Sequence, residues 1–194
     1  MNKPVVLFDA DGFLLDFMTP ALEVASNITG VKWAPDSFQT WDIFDTIGKE
    51  HQKLCYLEYE KPGFCAAFEP YPDAVEGVRE AKKMADVVVV TSPLHSPTWC
   101  HERRQSLFQH FDIPAQDVIF ASRKTLIMGC MLVDDRPSHA EDWAREHYGR
   151  GFGVIWNQPY NSRHCVEGRV GNITRCSSWF GSDGLLEYIK RVAT

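Results

Sequence analysis

Four short apolar runs, each ending abruptly in polar residues, constrain the fold of this chain more than any other feature. They are Val5 to Phe8, Val87 to Val90, Val118 to Ala121 and Met131 to Val133, with a weaker fifth at Phe152 to Trp156. Runs of this length, rich in β-branched residues, read as buried strands. Between them lie segments with helical periodicity: Ala74 to Met84, Thr98 to Phe111 and Ser138 to Tyr148. A last amphipathic segment, Ser182 to Val192, places Leu185, Leu186 and Ile189 on one face, as packing on a sheet requires. Strands that alternate with helices pair in parallel through right-handed crossovers. Pro72-Asp73, Ser96-Pro97 and Pro137-Ser138 mark helix starts, offering cap oxygens or the fixed dihedral that a first turn accepts. The expected class is α/β, a parallel sheet flanked by helices.

The interval 17–71 breaks this rhythm. It holds no β-branched strand run and is rich in aromatics and helix-compatible residues, so it reads as a small helical cap inserted after the first strand. The core domain is then expected over residues 1–16 and 72–194, with the cap subdomain over 17–71. The cap aromatics Trp33, Phe38, Trp41, Phe44, Tyr56, Tyr59, Phe64 and Phe68 are expected to form mainly its own core, with a minority facing a ligand. At 194 residues, one main domain with a modest insertion is what the length accommodates.

In an open parallel sheet, ligands bind beyond the carboxyl ends of the strands, so the residues after each apolar run carry the chemistry. These are Asp9, Ala10, Asp11 and Gly12 after the first run, and Thr91 and Ser92 after the second. Ser122, Arg123 and Lys124 follow the third, and Asp134, Asp135 and Arg136 the fourth. Four carboxylates on one edge would repel one another without a cation. A hard divalent ion, Mg2+, meets that need because it accepts carboxylates, a carbonyl, waters and a phosphate together. Lys124 and the hydroxyls of Thr91 and Ser92 would hold further phosphate oxygens, which points to phosphoryl transfer. Arg123 competes with Lys124 as the cation in the SRKT stretch.

The four stretches, DADG at Asp9 to Gly12, TS at Thr91 and Ser92, Lys124, and DD at Asp134 and Asp135, resemble the motifs of the haloacid dehalogenase superfamily in order and in placement. The resemblance implies a Rossmann-like core, a nucleophile at Asp9 that forms an aspartyl-phosphate, and a general acid and base at Asp11. It implies a Mg2+ held by Asp9, Asp11 through its backbone carbonyl, and the Asp134-Asp135 pair, with Asp135 the chosen direct ligand. Which of the two takes that role is open in the sequence.

A closer resemblance, to the 5'(3')-deoxyribonucleotidase branch, runs through DADGFLLDF from Asp9, KPGF from Lys61, PYPDA from Pro70, VTSPL from Val90, DDRP from Asp134 and QPYN from Gln158. It implies a nucleoside monophosphate as substrate, with Phe17, Trp41, Phe44 and Phe64 as the walls against the base and Arg136 on the phosphate or the cap. His95 stands where relatives often carry Lys, and Ala10 and Phe13 also depart from the family pattern. The same fold acting on another small phosphoester, and a non-catalytic nucleotide-binding protein, are the alternatives. Intact Asp9 and Asp11 argue against the second.

A net charge of -6 and a pI near 5.6 argue against a nucleic-acid polymer as partner, since phosphate backbones are bound through clustered Lys and Arg. Cys55, Cys65, Cys100, Cys130, Cys165 and Cys176 show no zinc spacing and read as reduced structural thiols. The seven histidines show no metal-binding spacing and read as surface or packed residues. Asp9 interrupts the first apolar run too early for a signal peptide, and no segment approaches a membrane span. A cytoplasmic location is expected, with a small-molecule partner and at most a second copy of the chain.

Overall fold

A computed structural model describes residues 3–164 and 172–193, so Cys165 lies outside the described residues. The strands are β1 (Val5–Phe8), β2 (Asp86–Thr91), β3 (Val118–Phe120), β4 (Met131–Asp134), β5 (Phe152–Trp156) and β6 (Ile173–Cys176). All pair in parallel, in the order β3-β2-β1-β4-β5-β6. The helices are α1 (Met18–Thr29), α2 (Phe44–Ile47), α3 (Lys49–Tyr59), α4 (Ala74–Met84), α5 (Trp99–Phe111), α6 (Pro137–Glu146) and α7 (Leu185–Val192). The predicted α/β class is what forms, and the five anticipated strands lie within a residue or so of their apolar runs.

β6 was not anticipated. Its sequence, ITRC, places an Arg and a Thr on an edge strand that is only half buried, so it lacks the apolar run by which the others are recognised. The helix starts also use less side-chain capping than expected. Asp73 sits before α4 in a left-handed conformation and makes no side-chain cap bond, and α5 is preceded by Thr98, whose N–H reaches Ser96 Oγ at 3.4 Å. Pro137 does occupy the first turn of α6, where a missing N–H is harmless.

One sheet face packs Phe8, Phe13, Trp156 and Trp179 together with residues of α4, α5 and α7. The other face buries Leu7, Val90, Leu132 and Trp143. Gly77 on α4 permits the closest approach, because a Cβ there would lie 2.0 Å from the Trp179 ring. The chain leaves the sheet domain after Leu15 and returns at Glu69, and the two limbs are tied together: Asp16 N–H donates to Glu69 O (2.8 Å) and Tyr71 N–H to Leu14 O (3.0 Å). Between these ties, α1, α2 and α3 build a second apolar cluster from Met18, Leu22, Phe44, Ile47 and Tyr59, joined by Phe38 from the segment between α1 and α2. Phe68 belongs instead to the main core, where it packs edge-on against Trp99. Trp41 and Tyr56 remain exposed.

Candidate active site

The strand order reverses between β1 and β4, and a crevice opens at the carboxyl end of such a switch point. Phe8 pairs with Val133 in register, so the next residues on both strands, Asp9 and Asp134, arrive side by side, and Asp9 N–H donates to Val133 O at 2.9 Å. Carboxylate oxygens of Asp9, Asp134 and Asp135 lie within 4.8 Å of one another, all buried.

Lys124 is 2% exposed and bridges two of them, its Nζ lying 2.7 Å from Asp9 Oδ1 and 2.7 Å from Asp134 Oδ2. Arg123 is exposed, so the buried cation of the SRKT stretch is Lys124. Asp134 is fully engaged: Oδ1 accepts from the Arg136 N–H (2.8 Å), and Oδ2 meets Lys124 and His139 Nδ1 (3.2 Å). Among the described residues, Asp9 Oδ2 and Asp135 Oδ1 have no hydrogen-bond partner, and these are the oxygens left to face a ligand.

Burial and the Asp134 charge push Asp9 up to about 7, against the pull of Lys124. Burial, Asp134 and Asp9 raise Asp135 well above the carboxylate range. Burial works against Asp134 as well, but Lys124 and His139 hold it below that range. The same carboxylates outweigh burial at Lys124 and keep its ammonium charged. Two carboxyls that resist ionisation around one open space form a donor set suited to a hard divalent cation, whose charge would remove the penalty.

The QPYN stretch braces this loop. Gln158 Nε2 donates to Gly12 O (2.6 Å), Tyr160 Oη donates to Asp135 Oδ2 (2.7 Å), and Asn161 Nδ2 donates to the Asp135 carbonyl (2.6 Å). Gly12 makes the tight fit workable. Its φ is +72°, and a Cβ there would stand 2.2 Å from Asp135 Oδ2 and 2.5 Å from Tyr160 Oη. Replacing Gly12 by Ala is therefore expected to cost about 1–3 kcal/mol of stability for the backbone alone. Displacement of Asp135 would also weaken a divalent cation held by the acidic cluster, at least tenfold (order ~10–100-fold for a disturbed ligand environment). Thermal melting and Mg2+ titration of Gly12→Ala check both.

The remaining predicted residues fall in three places. Asp9, Asp11, Ser92, Asp135 and Arg136 line a cavity of about 190 Å³ together with Phe17, Trp41 and Phe44. Thr91 and Lys124 are buried and do not line it, and the Thr91 hydroxyl has no partner among the described residues. Phe64 stands one layer back, packed on Tyr59, Phe17 and Phe68 rather than lining the cavity. The Arg136 guanidinium sits over the Trp41 ring, 4.1 Å from its centroid, at the cavity mouth. The Asp11 carboxylate is not in the acidic cluster; its Oδ1 pairs with Arg103 Nη2 at 2.5 Å.

Several site residues escaped the sequence reading. Tyr59, Trp99 and Tyr160 line the cavity, and His139, read as an ordinary packed histidine, lines it beside Asp134. Arg103 did leave a signal, for Trp99, Arg103, Leu107 and Phe111 share the buried face of α5 at four-residue spacing. A charge on such a face needs a partner.

A parallel sheet that gathers this acidic cluster and a buried lysine at its switch point is the arrangement that the resemblance to the haloacid dehalogenase superfamily implies. The same fold occurs in a candidate haloacid dehalogenase-like hydrolase of Burkholderia xenovorans LB400, which covers 100% of both chains with a TM-score of 0.65 at 15% identity. Residues 3–190 match the family profile described as "5' nucleotidase, deoxy (Pyrimidine), cytosolic type C protein". The chain belongs to this family of phosphoric monoester hydrolases. A candidate 5'(3')-deoxyribonucleotidase of Bordetella pertussis is 31% identical over 163 residues, 81% of this chain and 85% of that protein. The 5'(3')-deoxyribonucleotidase of Clostridium acetobutylicum is 22% identical over 98% of both chains.

Proposed function

We propose that this protein is a Mg2+-dependent nucleotidase that releases phosphate from nucleoside monophosphates, the deoxy forms foremost. The observation that carries this reading is that one cavity is lined both by Asp9 and Asp135 and by the rings of Phe17, Trp41 and Phe44. The acidic groups suit a cation with a phosphate, and the aromatic rings suit a base. The names of the relatives favour the deoxy sugar.

Asp9 and Asp135 would hold the Mg2+ through their open oxygens, with the Asp11 carbonyl as the family resemblance implies. When bound, the ion supplies positive charge to the phosphate and keeps Asp9 ionised. Asp134 braces Lys124 and the Arg136 N–H instead of ligating. Lys124, whose Nζ lies 2.7 Å from Asp9 Oδ1, and the hydroxyls of Thr91 and Ser92 are the groups that would hold nonreacting phosphate oxygens. Asp9 attacks phosphorus, the ester P–O bond breaks, and Asp11 gives a proton to the departing nucleoside oxygen. Water then attacks phosphorus, its proton returns to Asp11, and the Asp9 carboxylate is released with inorganic phosphate.

Residues 17–71 act in this reading as a cap whose Phe17, Trp41 and Phe44 would lie against the base. Among the described residues no helix is long and apolar enough to cross a membrane, and Cys55, Cys65, Cys100, Cys130 and Cys176 are free thiols. A reducing, cytoplasmic setting suits such thiols. Phosphate release from 5'- and 3'-deoxynucleotides, ribonucleotides, sugar phosphates and an aryl phosphate, with Mg2+ and with EDTA, tests the assignment. Deoxynucleotides should be turned over fastest and only with Mg2+. Activity confined to sugar and aryl phosphates would overturn it.

A further inference from the structure

Arg103 is wholly buried inside α5, a costly place for a guanidinium unless the surroundings fix it for a reason. Its Nη2 donates to Asp11 Oδ1 at 2.5 Å. The guanidinium lies 5.1 Å from the centroid of Phe68 and 5.4 Å from that of Trp99. Its Nε and Nη1 have no hydrogen-bond partner among the described residues, so the aromatic rings and Asp11 together define where it sits. The preceding residue secures the same turn of helix, since Glu102 accepts the N–H groups of Gly63 (2.7 Å) and Ala66 (3.2 Å) on the limb that returns from the helical insertion.

Asp11 lines the cavity from a loop, and an unrestrained carboxyl there would sample several rotamers. With Oδ1 tied to Arg103, Oδ2 is the oxygen available to a substrate. We propose that Arg103 is a positioning residue that fixes the Asp11 carboxyl for proton transfer to the leaving group. The inference rests on the acid and base role given to Asp11 above. A misplacement of about 1 Å in a reacting group costs on the order of 100-fold, so the guanidinium and its ring seat have a kinetic effect to exert.

The test uses a substrate that does not need the proton. A nucleoside leaves as a poor anion and requires protonation, whereas p-nitrophenolate leaves unaided. In Arg103→Met, kcat/KM for a deoxynucleoside monophosphate should fall about 10- to 100-fold, while that for p-nitrophenyl phosphate falls less than about threefold. Arg103→Lys should show the same bias to a smaller degree. Because the two substrates are compared within one variant, a smaller folded fraction cancels, and Arg103→Lys serves alone if the methionine variant does not fold. Asp11→Asn is the control. A parent-like ratio of the two activities in the Arg103 variants, beside a changed ratio in Asp11→Asn, would overturn the role of Arg103. An unchanged ratio in Asp11→Asn would overturn the acid role of Asp11 itself.

Discussion

Asp9→Asn should lose at least about 10⁴-fold in turnover on the proposed mechanism, since an amide oxygen cannot replace a carboxylate nucleophile. The fold should survive the change. Asn is nearly the same shape, and its amide oxygen can still accept from Lys124 and from the Ala10 N–H, which donate to Asp9 Oδ1 at 2.7 Å each. The pH dependence of stability separates this outcome from simple damage. Asp9 ionises near 3.8 when unfolded and at about 7 in the folded, metal-free protein, so the folded state binds the proton more tightly. Stability of the parent therefore falls as pH rises from about 4 through 7. The Asn variant has no such ionisation. Its melting temperature in EDTA, relative to the parent, should be higher at pH 8 than at pH 5.5. Retained turnover would sink the covalent mechanism, and a variant that melts far below the parent at both pH values would show the loss to be structural.

The cluster at the carboxyl edge was legible in the sequence because each of its members follows a strand that announces itself by an apolar run. The runs set both the sheet and the line along which Asp9, Thr91, Lys124 and Asp134 emerge, so the order of motifs carried the geometry. β6 was not legible, because a half-buried edge strand carrying Arg175 lacks that signature. The split between Asp134 and Asp135 was likewise beyond the sequence. Adjacent residues in or just after a strand point in different directions, and only the placement of Lys124, the Arg136 N–H and Tyr160 shows which carboxylate is already occupied. The aromatics of residues 17–71 were visible as a group but not as individuals. Phe64 and Trp41 have the same chemistry, yet one is packed behind Tyr59 and the other sits exposed under Arg136 at the mouth. QPYN was recognised without a role, since its three polar side chains act on residues as far as 146 positions away.

Lys124→Met offers the largest expected loss of stability, and its dependence on pH follows from the same cluster. Lys124 is nearly inaccessible, and its ammonium is the cation shared by Asp9 and Asp134. Removing one member of a buried ion pair costs about 3–5 kcal/mol, because the charge left behind is neither solvated nor compensated. At roughly 2–4 °C per kcal/mol for a chain of this length, the melting temperature should drop by about 6–20 °C near pH 8 in EDTA. The drop should shrink as pH falls. In the parent, Asp134 is held below its unfolded value, so its favourable contribution is present above about 4 and fades only in more acidic solution. Without Lys124, His139 alone opposes burial at Asp134, and Asp9 loses the charge that restrained its rise. Both carboxyls then take up protons in mild acid, and the uncompensated charge disappears. On the proposed function, Mg2+ should recover part of the melting temperature at pH 8, because it would restore positive charge beside Asp9. Turnover should stay low, because the ion would not replace the lysine as the donor proposed to hold the phosphate. A melting difference equal at pH 5.5 and pH 8, and unmoved by Mg2+, would mean that Lys124 acts through packing of its aliphatic stem rather than through its charge.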